Sequence, residues 1–247
     1  MKKAVTKGLI RNNKVFFLLV FLVAVTAMPT HAQQRKVLNL PKYDKQTIHF
    51  GFLLGVNSLS FTPRPVEDIR SLDSLMIVQP QSALGFGIGI VSNLHLGDNF
   101  DLRFLPTLSF GERVLNYTIA LPSQDSIFTR PKRVESTLLE FPLLLKFKSA
   151  RLNNARAYVI GGIKPVIDLA SQDKVDDKGE KILKLKRNDI NYEIGFGLDL
   201  YSQYFKFTPE IKMAYGLSNL LVREGNIYTD GLSSVHSKAF YISFTFE

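Results

Sequence analysis

The sequence predicts an all-β protein: an eight-stranded antiparallel transmembrane β-barrel of up-and-down order behind a cleaved leader. Three observations predict it. Apolar residues recur at every second position in eight stretches, the stretches are joined by alternately short and long connections, and the positions opposite the apolar ones hold glycine, small polar residues and balanced charges. Side chains of a strand point alternately to its two faces, so a period of two marks a strand with two unlike faces.

The first 32 residues stand apart. Lys2, Lys3, Lys7, Arg11 and Lys14 form a positive start, Val15 to Met28 an apolar run, and Thr30 and Ala32 a small-residue cleavage pattern. The run is shorter than the about 20 apolar residues a spanning helix needs, so 1–32 reads as a signal peptide and Gln33 as the mature start. Removing its five basic residues lowers the formal net charge from +9 to +4, which takes away the electrostatic case for nucleic acid as a partner. The chain has no cysteine, hence no disulfide framework and no lipid-attachment thiol. Residues 33–45, a short basic piece with an apolar island of Val37, Leu38 and Leu40, read as a periplasmic segment, either an unstructured lead-in or a tail that docks a partner. Residues 46–247 read as the barrel.

The strands follow in order. The first, IHFGFLLGV, sets Ile48, Phe50, Phe52, Leu54 and Val56 against His49, Gly51, Leu53 and Gly55. The second, LGFGIGIVSNLHL from Leu84, opposes Phe86, Ile88 and Ile90 to Gly85, Gly87, Gly89, Asn93 and His95. In the third, FDLRFLPTLSFG from Phe100, the inner set is Asp101, Arg103, Thr107 and Ser109. The fourth, TLLEFPLLLKFK from Thr137, places Glu140, Lys146 and Lys148 opposite Phe141, Leu143, Leu145 and Phe147. The fifth, AYVIGGIKPVID from Ala157, is the least regular, with Tyr158, Lys164 and Asp168 on the polar side. The sixth, INYEIGFGLDLY from Ile190, alternates without a fault and turns Glu193 and Asp199 away from its apolar face. The seventh, FKFTPEIKMAYGL from Phe205, opposes Lys206, Thr208, Glu210 and Lys212 to Phe207, Ile211 and Met213; the eighth, KAFYISFTFE from Lys238, puts Ala239, Tyr241, Ser243 and Thr245 opposite four apolar residues.

Short connections at 97–99, 150–154 and 202–204 alternate with long ones at 57–81, 120–134, 170–189 and 218–235. Short turns on one rim and long loops on the other are the plan of an outer-membrane barrel, with turns and both termini periplasmic. Volume fixes the faces: the interior of eight strands is only just wide enough for side chains, and several dozen Phe, Leu and Ile residues would overfill it. The apolar face therefore meets lipid and the polar face fills the lumen.

Six acids (Asp101, Glu140, Asp168, Glu193, Asp199, Glu210) and six bases (Arg103, Lys146, Lys148, Lys164, Lys206, Lys212) then point inward. An unpaired buried charge costs several kcal/mol, so the equal count implies a paired, structural network and a plugged lumen. Pro106, Pro142, Pro165 and Pro209 fall inside strands, where each removes a ladder donor; local bulges are expected there.

Chemistry has few footholds. His236 follows Ser233 and Ser234, but no carboxylate is specified to complete a nucleophilic site. His49 and His95 are lone, and Asp173, Asp176 and Asp177 miss the spacing and final glutamate of a calcium loop. No catalytic, cofactor or metal residue is assigned. Lys178, Lys181, Lys184, Lys186 and Arg187 fall where lipopolysaccharide phosphates would lie.

The entry HFGFLLGVNSLSF (His49 to Phe61), the PTLSFGER of Pro106 to Arg113 and the LLEFPLLLKFKS of Leu138 to Ser149 resemble the PorT/SprT family. These are outer-membrane barrels of the Bacteroidetes tied to the type IX secretion and gliding machinery. The resemblance implies a part needed to export proteins that bear a C-terminal sorting domain, in contact with other secretion components, and it supplies no catalytic residues. A generic adhesin or anchoring barrel, or a lipid A-modifying barrel enzyme, would share the strand features.

Overall fold

The computed structural model describes residues 37–66, 75–121, 126–171, 183–223 and 227–247. The leader at 1–32 and the loop residues Asp173, Asp176, Asp177, Lys178 and Lys181 lie outside them. The described strands are β1 (Ile48–Pro65), β2 (Leu75–His95), β3 (Phe100–Phe104), β4 (Thr107–Leu121), β5 (Ser126–Glu140), β6 (Leu143–Lys148), β7 (Ala155–Asp168), β8 (Asn188–Tyr201), β9 (Lys206–Gly216) and β10 (Leu232–Phe246). A single helical turn, α1 (Ile227–Asp230), precedes β10, and a 3-10 turn at Tyr43–Lys45 precedes β1.

These strands make eight staves, because β3 with β4 and β5 with β6 are each one stave interrupted at a proline. All pairings are antiparallel, and β1 pairs with both β2 and β10, so the wall closes. Closure leaves no unpaired edge, which a sheet in hydrocarbon requires. Followed once round the wall, the paired series Phe50, Ser92, Phe104, Leu143, Ile163, Tyr192, Tyr215, Lys238 and Ser60 returns to β1 ten residues from its start. That stagger over eight strands tilts them by roughly 40° and leaves an interior that side chains alone can fill.

The faces fall as the alternation requires. Phe50, Ile90, Ile190, Ile194 and Phe196 stand exposed on the outside, while their neighbours in sequence point inward. Cross-strand rings meet on this outer face, Phe52 with Phe246 at 4.9 Å, Phe86 with Phe110 at 5.0 Å and Phe207 with Phe244 at 5.8 Å. Such pairs are the side-chain unit of sheet stabilisation.

At the loop end the polarity of the wall inverts. Residues 57–65, 75–81, 120–121 and 126–134, read from the sequence as loop, are strand. Along β1 the apolar positions are even up to Val56, apart from the inward Leu53, and odd at Leu59 and Phe61; along β4 they change from Leu108 and Phe110 to Leu115, Tyr117 and Ile119. The odd set faces inward: Phe61, Leu115, Tyr117 and Ile119 join Val78, Leu220, Leu232 and Val235 in one buried apolar cluster, and Leu59 joins Leu138 and Val166 in a second, while Gln79, Arg133 and Glu135 face outward. Beyond the hydrocarbon band the outer face meets water, so the wall reverts to the inside-apolar order of a soluble barrel. The phase change hid these strands from a reading that required one continuous alternation.

The bulges expected at the four prolines are not where the register shifts. The shifts lie at Arg64/Pro65, Leu75/Ile77 and Ser82/Phe86. Across Pro106 and Pro142 the register holds, Phe104 with Leu143 continuing as Thr107 with Glu140; Pro165 and Pro209 sit in step with Ile190 and Phe244. Pro106, Pro142 and Pro165 still accept from Ile90, Leu105 and Phe141 through their carbonyls. One missing N–H interrupts a ladder step without demanding an inserted residue.

Candidate functional site

The inward charges of five adjacent staves, from β3/β4 round to β9, meet in the lumen. Lys146 of β6 donates to both oxygens of Asp199 of β8 at 2.8 Å, and Thr208 donates to the same carboxylate at 3.0 Å. Arg103 pairs with Glu210 at 2.8 Å and with Glu247 at 3.1 Å, and Lys206 pairs with Glu247 at 2.9 Å. From Glu210 the chain continues through Lys212 (3.1 Å), Glu193 (3.4 Å) and Lys164 (3.1 Å) to Glu140 (3.4 Å). Tyr158 donates to Glu210 and Tyr241 to Glu140. Asp101 takes Lys148 at 2.5 Å with help from Asn93 and His95, and Asp168 takes Arg113 at 2.6 Å. All twelve charges named from the sequence are buried, each against an opposite charge.

Arg113 and Glu247 were missed. Both continue the inward parity of their staves, Arg113 after Ser109 and Glu247 after Thr245, so extending the alternation by a few residues finds them. Two cavities among these side chains hold about 20 Å³ each, room for one water, and a wider one of about 600 Å³ lies beside Asp168, Val134 and Leu183 at the loop end. The inward glycines do not line an open bore either: a Cβ at Gly197 would lie 2.5 Å from Cζ of Tyr158, its cross-strand neighbour, and 2.9 Å from the Pro209 carbonyl oxygen.

Residues 38–45 lie across the turn end of the barrel, bound to it by side chains. Asn39 donates from its backbone to Asn154 Oδ1 at 2.9 Å and from Nδ2 to the Tyr201 carbonyl at 3.0 Å. Arg151 donates to the Asn39 carbonyl and to Asp44 Oδ2, and Asp44 Oδ1 accepts from the Tyr201 hydroxyl at 2.7 Å. Tyr43 stacks on His49 at 4.1 Å and donates to Glu247. The stave of β7, which carries Arg156 and follows the Arg151–Asn154 turn, is four staves from β1 in either direction, so this strap spans the mouth. Burial alone would raise the Asp44 pKa; the Tyr201 and Arg151 hydrogen bonds and the Arg156 charge outweigh it and hold the carboxyl below its usual 3.8.

The other candidates are placed as follows. His95 joins Asp101, and His49 lies under Tyr43. His236 meets the Gly216 carbonyl through Nδ1 and stacks on Tyr215; among the described residues no hydrogen bond joins it to Ser233 or Ser234. Lys184 is buried, and Lys186 and Arg187 are exposed.

A closed wall with an apolar outer belt and a lumen filled by paired charges defines a transmembrane β-barrel. Residues 31–222 match the family described as outer membrane protein beta-barrel domain, and the chain belongs to that family. Among solved structures it is similar to Neisserial surface protein A (TM-score 0.40, 11% identity, covering 81% of this chain and 98% of that one). It is also similar to OprG of Pseudomonas aeruginosa (0.38, 14%, 79% and 94%) and to AlkL studied in lipid bilayers (0.37, 12%, 88% and 93%). A comparison with curated proteins finds no match.

Proposed function

We propose that this outer-membrane barrel serves protein export by type IX secretion as a non-enzymatic assembly or interaction component, and not as the conduit. The filled lumen carries the reading: a barrel whose interior is occupied by salt-linked side chains has only its surfaces to offer. The resemblance of the EFPLLLKF stave and its neighbours to the PorT/SprT proteins supplies the pathway. In this reading the leader at 1–32 is removed, both termini are periplasmic, lipid and lipopolysaccharide surround the wall, and other secretion components meet the turn end. Deleting the gene and comparing secreted with periplasmic cargo that bears a C-terminal sorting domain tests it. Retained cargo is the expected result; intact secretion would assign the chain to the adhesin or anchor class.

A further inference from the structure

The twelve lumen charges lie on strands, but the acid at the turn-end mouth comes from a segment that pairs with no stave. Asp44 faces Arg151 at 2.9 Å and Arg156 at 3.4 Å, and its side chain keeps about a quarter of its surface exposed. Two arginines and the Tyr201 hydroxyl converge on this one carboxylate. Five residues earlier the same site reads a peptide backbone: Asn154 accepts the Asn39 N–H, and Arg151 donates to the Asn39 carbonyl.

Asp44 does not exhaust the site. Nε of Arg156 is buried without a hydrogen-bond partner, although a guanidinium presents five donors and binds a carboxylate best through two of them. The strap is also held against its own backbone preference. Leu40, between the two anchor points, has a φ of 50°, in the left-handed region that side-chain-bearing residues seldom occupy. Its only regular structure is the three-residue turn at Tyr43–Lys45.

We propose that Arg151, Asn154, Arg156 and Tyr201 form a docking site for a peptide segment of another protein that presents one carboxylate and a free backbone N–H and carbonyl, and that Asn39 and Asp44 occupy it in cis until that segment displaces them. The ligand class follows from the contacts. A lipid or inorganic phosphate would satisfy the two arginines but leave unused the pair of backbone contacts that Asn154 and Arg151 make. The site holds whether or not the barrel serves type IX secretion.

The test uses the mature chain in nanodiscs and a fluorescent peptide with the sequence of residues 37–46, read by anisotropy. The expected result is binding to Asp44→Asn at least tenfold tighter than to wild type, because the competing carboxylate is gone. Adding Arg156→Gln to that variant should reverse the gain, and the peptide carrying asparagine in place of its aspartate should bind weakly to all of them. A deletion of residues 38–45 that keeps heat-modifiable mobility must bind at least as well as Asp44→Asn. Equal binding by wild type and both altered straps would overturn the proposal, as would indifference to Arg156→Gln, or binding of phosphatidylglycerol vesicles in place of the peptide.

Discussion

Lys146 and Asp199 face each other across an intervening strand: the ammonium group meets both carboxylate oxygens at 2.8 Å while lying 3.7 Å from the centre of the Tyr158 ring on β7. Neither side chain reaches solvent. The alternation of INYEIGFGLDLY, which turns Asp199 inward, thus acquires its reason: the acid closes a contact between β6 and β8 that backbone hydrogen bonds cannot make.

Breaking that pair should cost more than deleting it. Lys146→Met leaves a buried carboxylate with only Thr208 and more distant cations, and a loss of about 3–5 kcal/mol is expected. The double change Lys146→Met/Asp199→Leu should recover much of it. Urea unfolding midpoints of the barrel in lipid check the order; a double variant as unstable as the sum of the singles would contradict it.

The outer face is tested by Phe196, which is 57% exposed. Phe196→Arg should cost about 2–4 kcal/mol at the bilayer midplane. Gly87→Ala on the inner face should be mild, since its nearest obstacle is the rotatable Ser109 hydroxyl at 3.1 Å. Gly197→Ser, by contrast, should fail for lack of room, because Tyr158 covers that position. Heat-modifiable mobility ranks the three.

The inverted loop end predicts a second contrast. Leu115→Ala, within the buried apolar cluster, should lose about 2–5 kcal/mol through the cavity it leaves. Leu84→Ala, on the lipid-facing side and 78% exposed, should lose far less. Equal losses would mean that the loop-end cluster is not a packed core.

The strap should respond to acid. Its Asp44 carboxyl has a depressed pKa, so the stabilisation is complete above the ordinary aspartate value of 3.8 and is lost as pH falls below it. Limited proteolysis within 38–45 should therefore accelerate at low pH in wild type, whereas Asp44→Asn should already be cut quickly at neutral pH and change little on acidification.

Most of the wall was legible because one rule, apolar to lipid and polar to lumen, acts on every residue of a spanning strand. It failed where its cause stops acting. Leu59 and Phe61 sit at the loop end, where the buried face is the apolar one, so their alternation runs in the opposite phase and looked like loop. The docking of residues 38–45 depends on Asp44 meeting Arg151, 107 residues away, and nothing in a short polar segment announces a distant partner. The lack of space at Gly197 is not legible in the sequence, because glycine marks both an empty site and one filled by a neighbour; only the register that sets Tyr158 opposite decides which.

The central claim is that this barrel is filled and works from its surfaces. Planar-bilayer recording on the purified mature protein tests it most directly. Interior cavities of about 20 Å³ and an unbroken run of ion pairs from Lys206 to Glu140 predict no stable open conductance, in wild type or with residues 38–45 deleted. Steady, reproducible channels from wild type would contradict the account; channels that appear only on the deletion would make the strap, and not the salt-linked lumen, the element that closes the barrel.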